Sequence, residues 1–352
     1  MTALVVKACG PMTSIQDAGR FGWQRYGVSS SGAMDRLALA AANALAGNAP
    51  GAAAVEFMLM GGSFEVEGGT ARVAVAGAPC AVSLDAQPMP AMTSLTLRPG
   101  QTLAVGAAQA GVYAYLAVAG GLALEPQLGS LSLQPRAGIG GLDGRACQAG
   151  DRLPLVLGQA PAGPELALDP LPVEPQAPVR VVLGPQDDYF TPQGIETFLA
   201  FAYTVSREAD RMGYRLTGPK IAHARGFNVV SDGIVTGSVQ VPGSGEPIVM
   251  MADRQTTGGY PKLATVVSAD LRLVAQRRAG QEIRFAAVGI EEAQGLARER
   301  AAAVRGLAAL ARAVRGGPPG SEELLSLNLA GAAVDALAEP WAQEEPRPKA
   351  RP

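Results

Sequence analysis

ARVAVAGAPCAVSLDAQPMPAMTSLTLRPGQTLAVGAAQAGVYAYLAVAG, residues 71–120, sets the fold class. Within it, ARVAVAG (71–77), SLTLRPG (94–100), QTLAVG (101–106) and VYAYLAVAG (112–120) are short apolar runs, each closed by glycine. Runs this short, bounded by turn formers, read as strands, and strands in this succession build barrels or sandwiches rather than a doubly wound sheet. The punctuation is chain-wide: 44 glycines and 27 prolines interrupt 352 residues, of which 48% are hydrophobic.

That length and apolar share predict two domains, each with a core of its own. The first β unit is assigned to residues 1–157 and includes a helix over Met34–Ala46, rich in Ala and Leu and stopped by Gly47-Asn48. GQAPAGPELALDPLPVEPQAP (158–178) is Pro-rich and aperiodic and reads as a linker. A second β unit, 179–290, opens with VRVVLGP and carries a helix near Gln193–Ala202 after Thr191-Pro192. Its further strands are expected at FNVVS (227–231), SVQVP (238–242), EPIVMMA (246–252), LATVVS (263–268) and QEIRFAAVG (281–289). RPGQTLAV (98–105) and RAGQEIRF (278–285) both read as a turn feeding a strand, and AGDRLPL (149–155) is similar, which hints at internal duplication. Helices are expected over 291–340, in EEAQGLARERAAAVRG and its continuation and again in SEELLSLNLAGAAVDALA, with a disordered Pro/Glu/Arg-rich tail at 341–352.

Charge and composition exclude several classes. The formal net charge is −2 and the only lysines are Lys7, Lys220, Lys262 and Lys349, so there is no patch for a nucleic-acid backbone. Apolar runs are broken well short of a membrane span, and the N-terminus MTALVVKACG does not read as a signal peptide. Cys9, Cys80 and Cys147 are scattered, which fits buried thiols in a reducing cytoplasm better than disulfides or a zinc site. A single histidine, His223, excludes a histidine-based metal cluster, and no metal site is expected. The chain has no phosphate loop, no nucleophile elbow and no Met-Lys-Met biotin attachment site.

Polar groups concentrate in three glycine-containing segments. TSIQDAGRFGWQRYGVSSSGAMD (13–35) holds Gln16, Asp17, Arg20, Arg25, Ser29, Ser31 and Asp35, the last also placed to cap the following helix. SREADRMGYRLTGP (206–219) brings Asp210, Arg211 and Arg215 together; arginine forks suit carboxylates or phosphates, or brace a loop between the two barrels by an Asp–Arg pair. In SVQVPGSGEPIVMMADRQTTGGYPKLATV (238–266) an apolar strand delivers Asp253, Arg254, Gln255, Thr256, Thr257, Tyr260 and Lys262, with Gln240 upstream. Lys262 is of the type that neutralises a developing oxyanion or a transferred phosphoryl group.

These segments, together with YLAVAGGL, Gly129-Ser130, GGLDGR, GDRL, GPQDDYF and SDGIVTGSVQVP, resemble in content and order the motifs of the allophanate hydrolase subunit 2 family, or carboxyltransferase domain subdomains A and B. The likeness spans roughly residues 4–290, and NLAGAAVDA resembles the family's final helix. It implies a mainly β fold of two cyclophilin-like β-barrel domains with a C-terminal helical extension. It also implies the C component of an ATP-dependent 5-oxoprolinase, working with the A and B components of that enzyme, the latter made of carboxyltransferase subdomains C and D. Two alternatives come with the family: a biotin-dependent carboxyltransferase component, as in urea carboxylase, and a regulatory protein that binds a relative of the B component. On this reading Asp210, Arg211, Asp253 and Lys262 are the catalytic candidates, and Gln16, Asp17, Arg215, Gln240, Gln255 and Tyr260 bind substrate. Where many members read Gly-Ser-Arg-Ser-Thr, this chain has Gly129-Ser130-Leu131-Ser132-Leu133.

Overall fold

Side-chain alternation decides how the first half packs. In the strand Tyr113–Val118, residues Ala114, Leu116 and Val118 join one apolar cluster while Tyr113, Tyr115 and Ala117 join another, and all six are buried. A strand covered on both faces belongs in the middle of a layered structure. It is the central strand of a five-stranded antiparallel sheet, ordered Ser14–Gln16, Ala54–Met58, Tyr113–Val118, Ala71–Gly77, Ser94–Leu97. One face of this sheet shares a core containing Leu4, Val6, Phe57, Phe64 and Leu103 with a six-stranded sheet. That second sheet runs Arg152–Pro154, Ala3–Cys9, Gly62–Glu67, Thr102–Ala108, Cys80–Leu84, Gln87–Met89. The other face is covered by helix α1 (Arg36–Ala46), every residue of which is buried except Arg36. Its alanines allow a close seat on the sheet. Asp35 caps it, Oδ1 accepting from the Leu37 and Ala38 N–H groups at 3.1 Å each, and Gly47 ends it with φ 79°.

The second half is an eight-stranded sheet, ordered Glu282–Ile283, Tyr203–Val205, Gly213–Thr217, Ile248–Met250, Ser238–Gln240, Lys262–Val266, Val179–Leu183, Phe285–Ala287. Its two outermost strands are consecutive in the chain, separated only by Arg284, so the sheet nearly closes into a barrel. Closure leaves little exposed edge. Helices α2 (Pro192–Ala200) and α3 (Leu271–Ala275) accompany it, and α4 (Ile290–Leu310) follows. The chain is thus mainly β, with barrel-type sheets in both halves.

This computed structural model describes residues 1–171 and 177–314, with 1–314 forming one unit. Within that unit a single cluster of buried side chains runs from Leu39 and Tyr115 to Val239, Phe285 and Leu307, so the halves share a core, and a further cluster lies within the first half alone. Polar side chains of the second half also fasten onto the first. The Gln276 side-chain oxygen accepts from the Val112 and Tyr113 N–H groups at 2.7 and 3.0 Å, while its amide donates to Tyr113 O and Asp35 Oδ2, both at 3.0 Å. Arg278 Nε donates to Gly111 O at 2.7 Å.

The three look-alike turns have one geometry. Gly100, Gly280 and Gly150 all take left-handed φ, at 82°, 85° and 92°. In each, the residue after the glycine turns its side chain back: Gln101 accepts from Arg98 N at 3.0 Å, Gln281 from Arg278 N at 2.8 Å, and Asp151 from Gln148 N at 2.8 Å. Each turn then enters a strand.

One expected strand is absent. FNVVS (227–231) forms no ladder; Val230 is 92% exposed and Phe227 47%, and the segment is held instead by a backbone bond from Val229 N to Gly259 O at 2.9 Å. Without a neighbouring strand edge, β-rich composition alone does not make a strand. The Pro-rich segment 158–178 carries the short strand Leu166–Ala167, which pairs antiparallel with Arg312–Ala313. The expected helix at 321–338 and the tail at 341–352 lie outside the described residues. No helix among the described residues is long and apolar enough to cross a membrane.

Candidate functional site

Arg211 lies at the junction of the halves with only 4% of its surface exposed. Its Nε and Nη2 form a fork with Asp253, at 2.8 and 3.0 Å. Nη1 bonds Glu56, and Nη2 also donates to Gly32 O at 2.8 Å. Glu56 accepts in addition from Met34 N at 3.0 Å and from the Tyr115 hydroxyl at 2.7 Å. One guanidinium between two buried carboxylates therefore ties the second barrel to the segment 31–35 and to the sheet beneath it. Burial pulls the Arg211 pKa down, but the charges of Asp253 and Glu56 outweigh it and hold it well above its ordinary value. Burial keeps the Glu56 pKa above its ordinary value, with Arg211 opposing.

A second group surrounds Lys262. The strands Ser238–Gln240 and Lys262–Val266 place Gln240 opposite Lys262. The Lys262 ammonium is buried and bonds Asp232 Oδ2 at 2.6 Å, and Gln186 bridges, accepting from Lys262 N at 2.9 Å and donating to Asp232 at 3.3 Å. This pairing with Lys262 is the main cause of a lowered Asp232 pKa. Gln240 donates to Tyr260 O at 3.1 Å. The Tyr260 ring and Gln255 stand exposed along the same run.

The third group is built on Asp17. Its carboxylate accepts from Gly19 N (2.8 Å), Ser130 Oγ (2.7 Å), Ser132 Oγ (2.5 Å) and Leu131 N (2.7 Å). The buried Arg20 guanidinium adds bonds to Gln127 O and Ser132 O, both at 2.9 Å. Gln16 is fully buried and donates to Ser14 Oγ at 3.0 Å. The Leu131 and Leu133 departures leave this group intact, because both serines and the Leu131 N–H still reach Asp17. The Leu133 side chain goes instead into the interior.

Of the remaining predicted residues, Asp210 uses its carboxylate to close a local turn, accepting from Met212 N at 2.8 Å and Gly213 N at 3.1 Å. Arg215 pairs on the surface with Glu208 at 3.3 Å. His223 shares a hydrogen bond with Val241 O at 3.0 Å beside the Phe190 ring. Sequence reasoning did not select Glu56 or Asp232, and it named Arg254 within the polar run without assigning it a role. Glu56 had one signal, a carboxylate alone inside the apolar strand Ala54–Met58. Arg254 is 3% exposed and, among the described residues, donates to neutral acceptors: Ile234 O (3.1 Å), Thr236 Oγ1 (2.7 Å), Ser30 Oγ (3.4 Å) and Gln24 Oε1 (3.1 Å). Burial, with the nearby Arg36 charge, pushes its pKa down to about 10.

Two barrel-type β units joined by a polar seam define a carboxyltransferase-type domain pair. The family model for the carboxyltransferase domain, subdomain A and B, matches residues 26–287, and the chain belongs to this family. It is 40% identical to the C subunit of 5-oxoprolinase from Haemophilus influenzae, over 81% of this chain and 91% of that protein. Among solved structures it is similar to TTHA0988, with 36% identity and a TM-score of 0.74, covering 81% of this chain and 55% of that one. It is also similar to the urea amidolyase of K. lactis, with 28% identity and a TM-score of 0.79, covering 87% of this chain and 20% of that one. This chain thus spans about half of the first solved relative and a fifth of the second.

Proposed function

We propose that this chain is one component of an ATP-dependent 5-oxoprolinase that acts in the cytoplasm with two partner subunits, the A and B components, and does not turn over alone. The observation that carries this reading is the likeness to the H. influenzae 5-oxoprolinase C subunit along 91% of that protein, whereas the urea amidolyase likeness reaches only a fifth of its chain.

The 5-oxoproline lactam is a stable amide, and ATP supplies the activation: the terminal phosphoryl group moves to the amide oxygen as ADP leaves, one water adds to the activated carbon and the C–N bond breaks to open the ring to a glutamyl phosphate, and a second water releases phosphate and glutamate. On this chain the cations nearest the predicted run are already engaged. Arg211 serves Asp253, Glu56 and Gly32, and Lys262 serves Asp232. Arg211 and Asp253 therefore act as positioning residues in this reading. The exposed Gln255 and Tyr260 form the face offered to substrate or to the B component, with the buried Gln240 and Lys262 behind them. The test is 5-oxoproline-dependent ATP hydrolysis and glutamate release by this chain co-purified with its two partner subunits, with this chain omitted in parallel. Activity that disappears on omission supports the reading. A stable assembly that releases no glutamate removes it and directs the search to carboxyl transfer or to a regulatory complex.

A further inference from the structure

A cavity of about 580 Å³ opens between the start of α1, the second barrel and α4. α4 lies beyond residue 287, where the family match ends. Its face toward the cavity is Ala297, Arg300, Ala301, Val304 and Arg305, spaced as one side of a helix. Arg36 and Arg272 complete a lining of four arginines, and Asp35 is the only carboxylate among the described lining residues. Asp35 is already engaged, capping α1 and meeting Arg272 at 3.3 Å. The rest of the wall is largely apolar, including Met34, Leu37, Met251 and Leu271.

Two further observations favour an anion at this wall. Ser31 lines the cavity, is 3% exposed, and its hydroxyl has no hydrogen-bond partner among the described residues. A buried hydroxyl without a partner is costly unless something supplies one. Behind the wall, Thr236 also lines the cavity and accepts from the Arg254 guanidinium at 2.7 Å, a buried cation whose acceptors among the described residues are all neutral. Its positive field adds to that of the arginines on the surface of the cavity. Guanidiniums are the groups best matched to the oxygens of phosphate, and low-dielectric walls strengthen each contact.

We infer that this cavity binds a phosphate-bearing small organic molecule, its phosphate oxygens held by Arg36, Arg305 and the Ser31 hydroxyl and its apolar part against Met34 and Leu271. With a nucleotide as ligand the inference deepens the oxoprolinase reading, and the two fail separately, because the test is binding by the isolated chain and requires no turnover. Two sources share the chemistry: a nucleotide, and a non-nucleotide phosphate ester or free phosphate chain.

The experiment is calorimetric titration of the intact chain with ATP, pyrophosphate and glutarate, in parallel with three variants. Saturable binding of ATP or pyrophosphate at one site per chain is expected, with ATP tighter than pyrophosphate if the natural ligand is a nucleotide and the reverse if it is not. R36A/R305A, at two exposed side chains, is expected to weaken binding about tenfold or more, the scale of a lost charge-assisted contact. S31A is expected to weaken it several-fold with the melting temperature retained. R152A/R207A removes two arginines that do not line the cavity and is expected to leave affinity within about twofold. The inference is overturned by failure of both phosphate probes to bind saturably, by undiminished affinity in R36A/R305A, by equal loss in R152A/R207A, or by glutarate binding as tightly as pyrophosphate.

Discussion

Replacing Arg211 with methionine tests whether the seam is held by charge. The substitution keeps most of the side-chain volume but leaves Glu56 and Asp253 buried, 1% and 4% exposed, without their shared cation. Glu56 would retain the Met34 N–H and the Tyr115 hydroxyl, whereas Asp253 would lose both bonds of its fork. Removing one partner from a buried ion pair costs about 3–5 kcal/mol. With unfolding entropy of roughly 2 cal/mol/K per residue over a chain of this length, that is a fall of roughly 4–7 °C in melting temperature. The pH dependence supplies a second signature. Burial already holds the Glu56 pKa above its ordinary 4.5, and without Arg211 it rises further. The folded variant then binds protons that the unfolded chain releases above pH 4.5, so the deficit is greatest near neutrality and shrinks as pH falls toward that value. Calorimetric or circular-dichroism melts of parent and variant at about pH 7 and about pH 5, at one scan rate, measure both. A midpoint within about 1 °C of the parent near neutrality, or a deficit indifferent to pH, would refute the claim that charge pairing holds the seam.

Asp17→Ala removes the acceptor for two serine hydroxyls and two backbone N–H groups, and should cost about 2–3 kcal/mol; Asp17→Asn should cost less, and denaturant titration distinguishes them. The Cys147 thiol is pushed up to about 12 and Cys80 to about 11, mainly by burial, so thiol reagents at about pH 8 should label both slowly and denaturant should accelerate labelling. Arg145 holds the Asp151 pKa below its ordinary 3.8, so the stability this carboxylate contributes is fully present above pH 3.8 and is lost as pH falls through the lowered folded value. Acid melts of Asp151→Asn should show a shallower loss than the parent in that range.

Much of the fold is written in local pattern. Short apolar runs between glycines mark the strands Ala71–Gly77 and Tyr113–Val118, and alanine-rich helical spacing followed by Gly47-Asn48 marks α1. FNVVS misled because a strand needs a neighbouring edge, and edges are set by topology that 227–231 does not encode. The site was legible in its segments but not in its partnerships. Arg211 and Asp253 are 42 positions apart, and their second carboxylate, Glu56, is 155 positions from Arg211. The sequence left two uses open for this arginine cluster, anion binding and an Asp–Arg brace between the barrels, and the folded chain commits Arg211 to a brace through Asp253 and Glu56. The reverse holds for Arg36 and Arg305: nothing in the sequence sets them apart, and they converge with Ser31, one of seven polar residues singled out in its segment, on one cavity wall.

These two facts belong together. The segment 31–35 receives Arg211 at Gly32 O, supplies the Met34 N–H to Glu56, and places Ser31 and Asp35 in the cavity wall. Any shift of the second barrel that loosens the Arg211 fork must therefore move the same residues that present the Ser31 hydroxyl. The seam and the cavity wall share the segment 31–35, so occupation of the cavity should stabilise the seam by mass action. The Arg211→Met variant should accordingly bind pyrophosphate more weakly than the parent even though Arg211 does not line the cavity. Affinity unchanged in that variant would separate the two and leave the seam as scaffold alone.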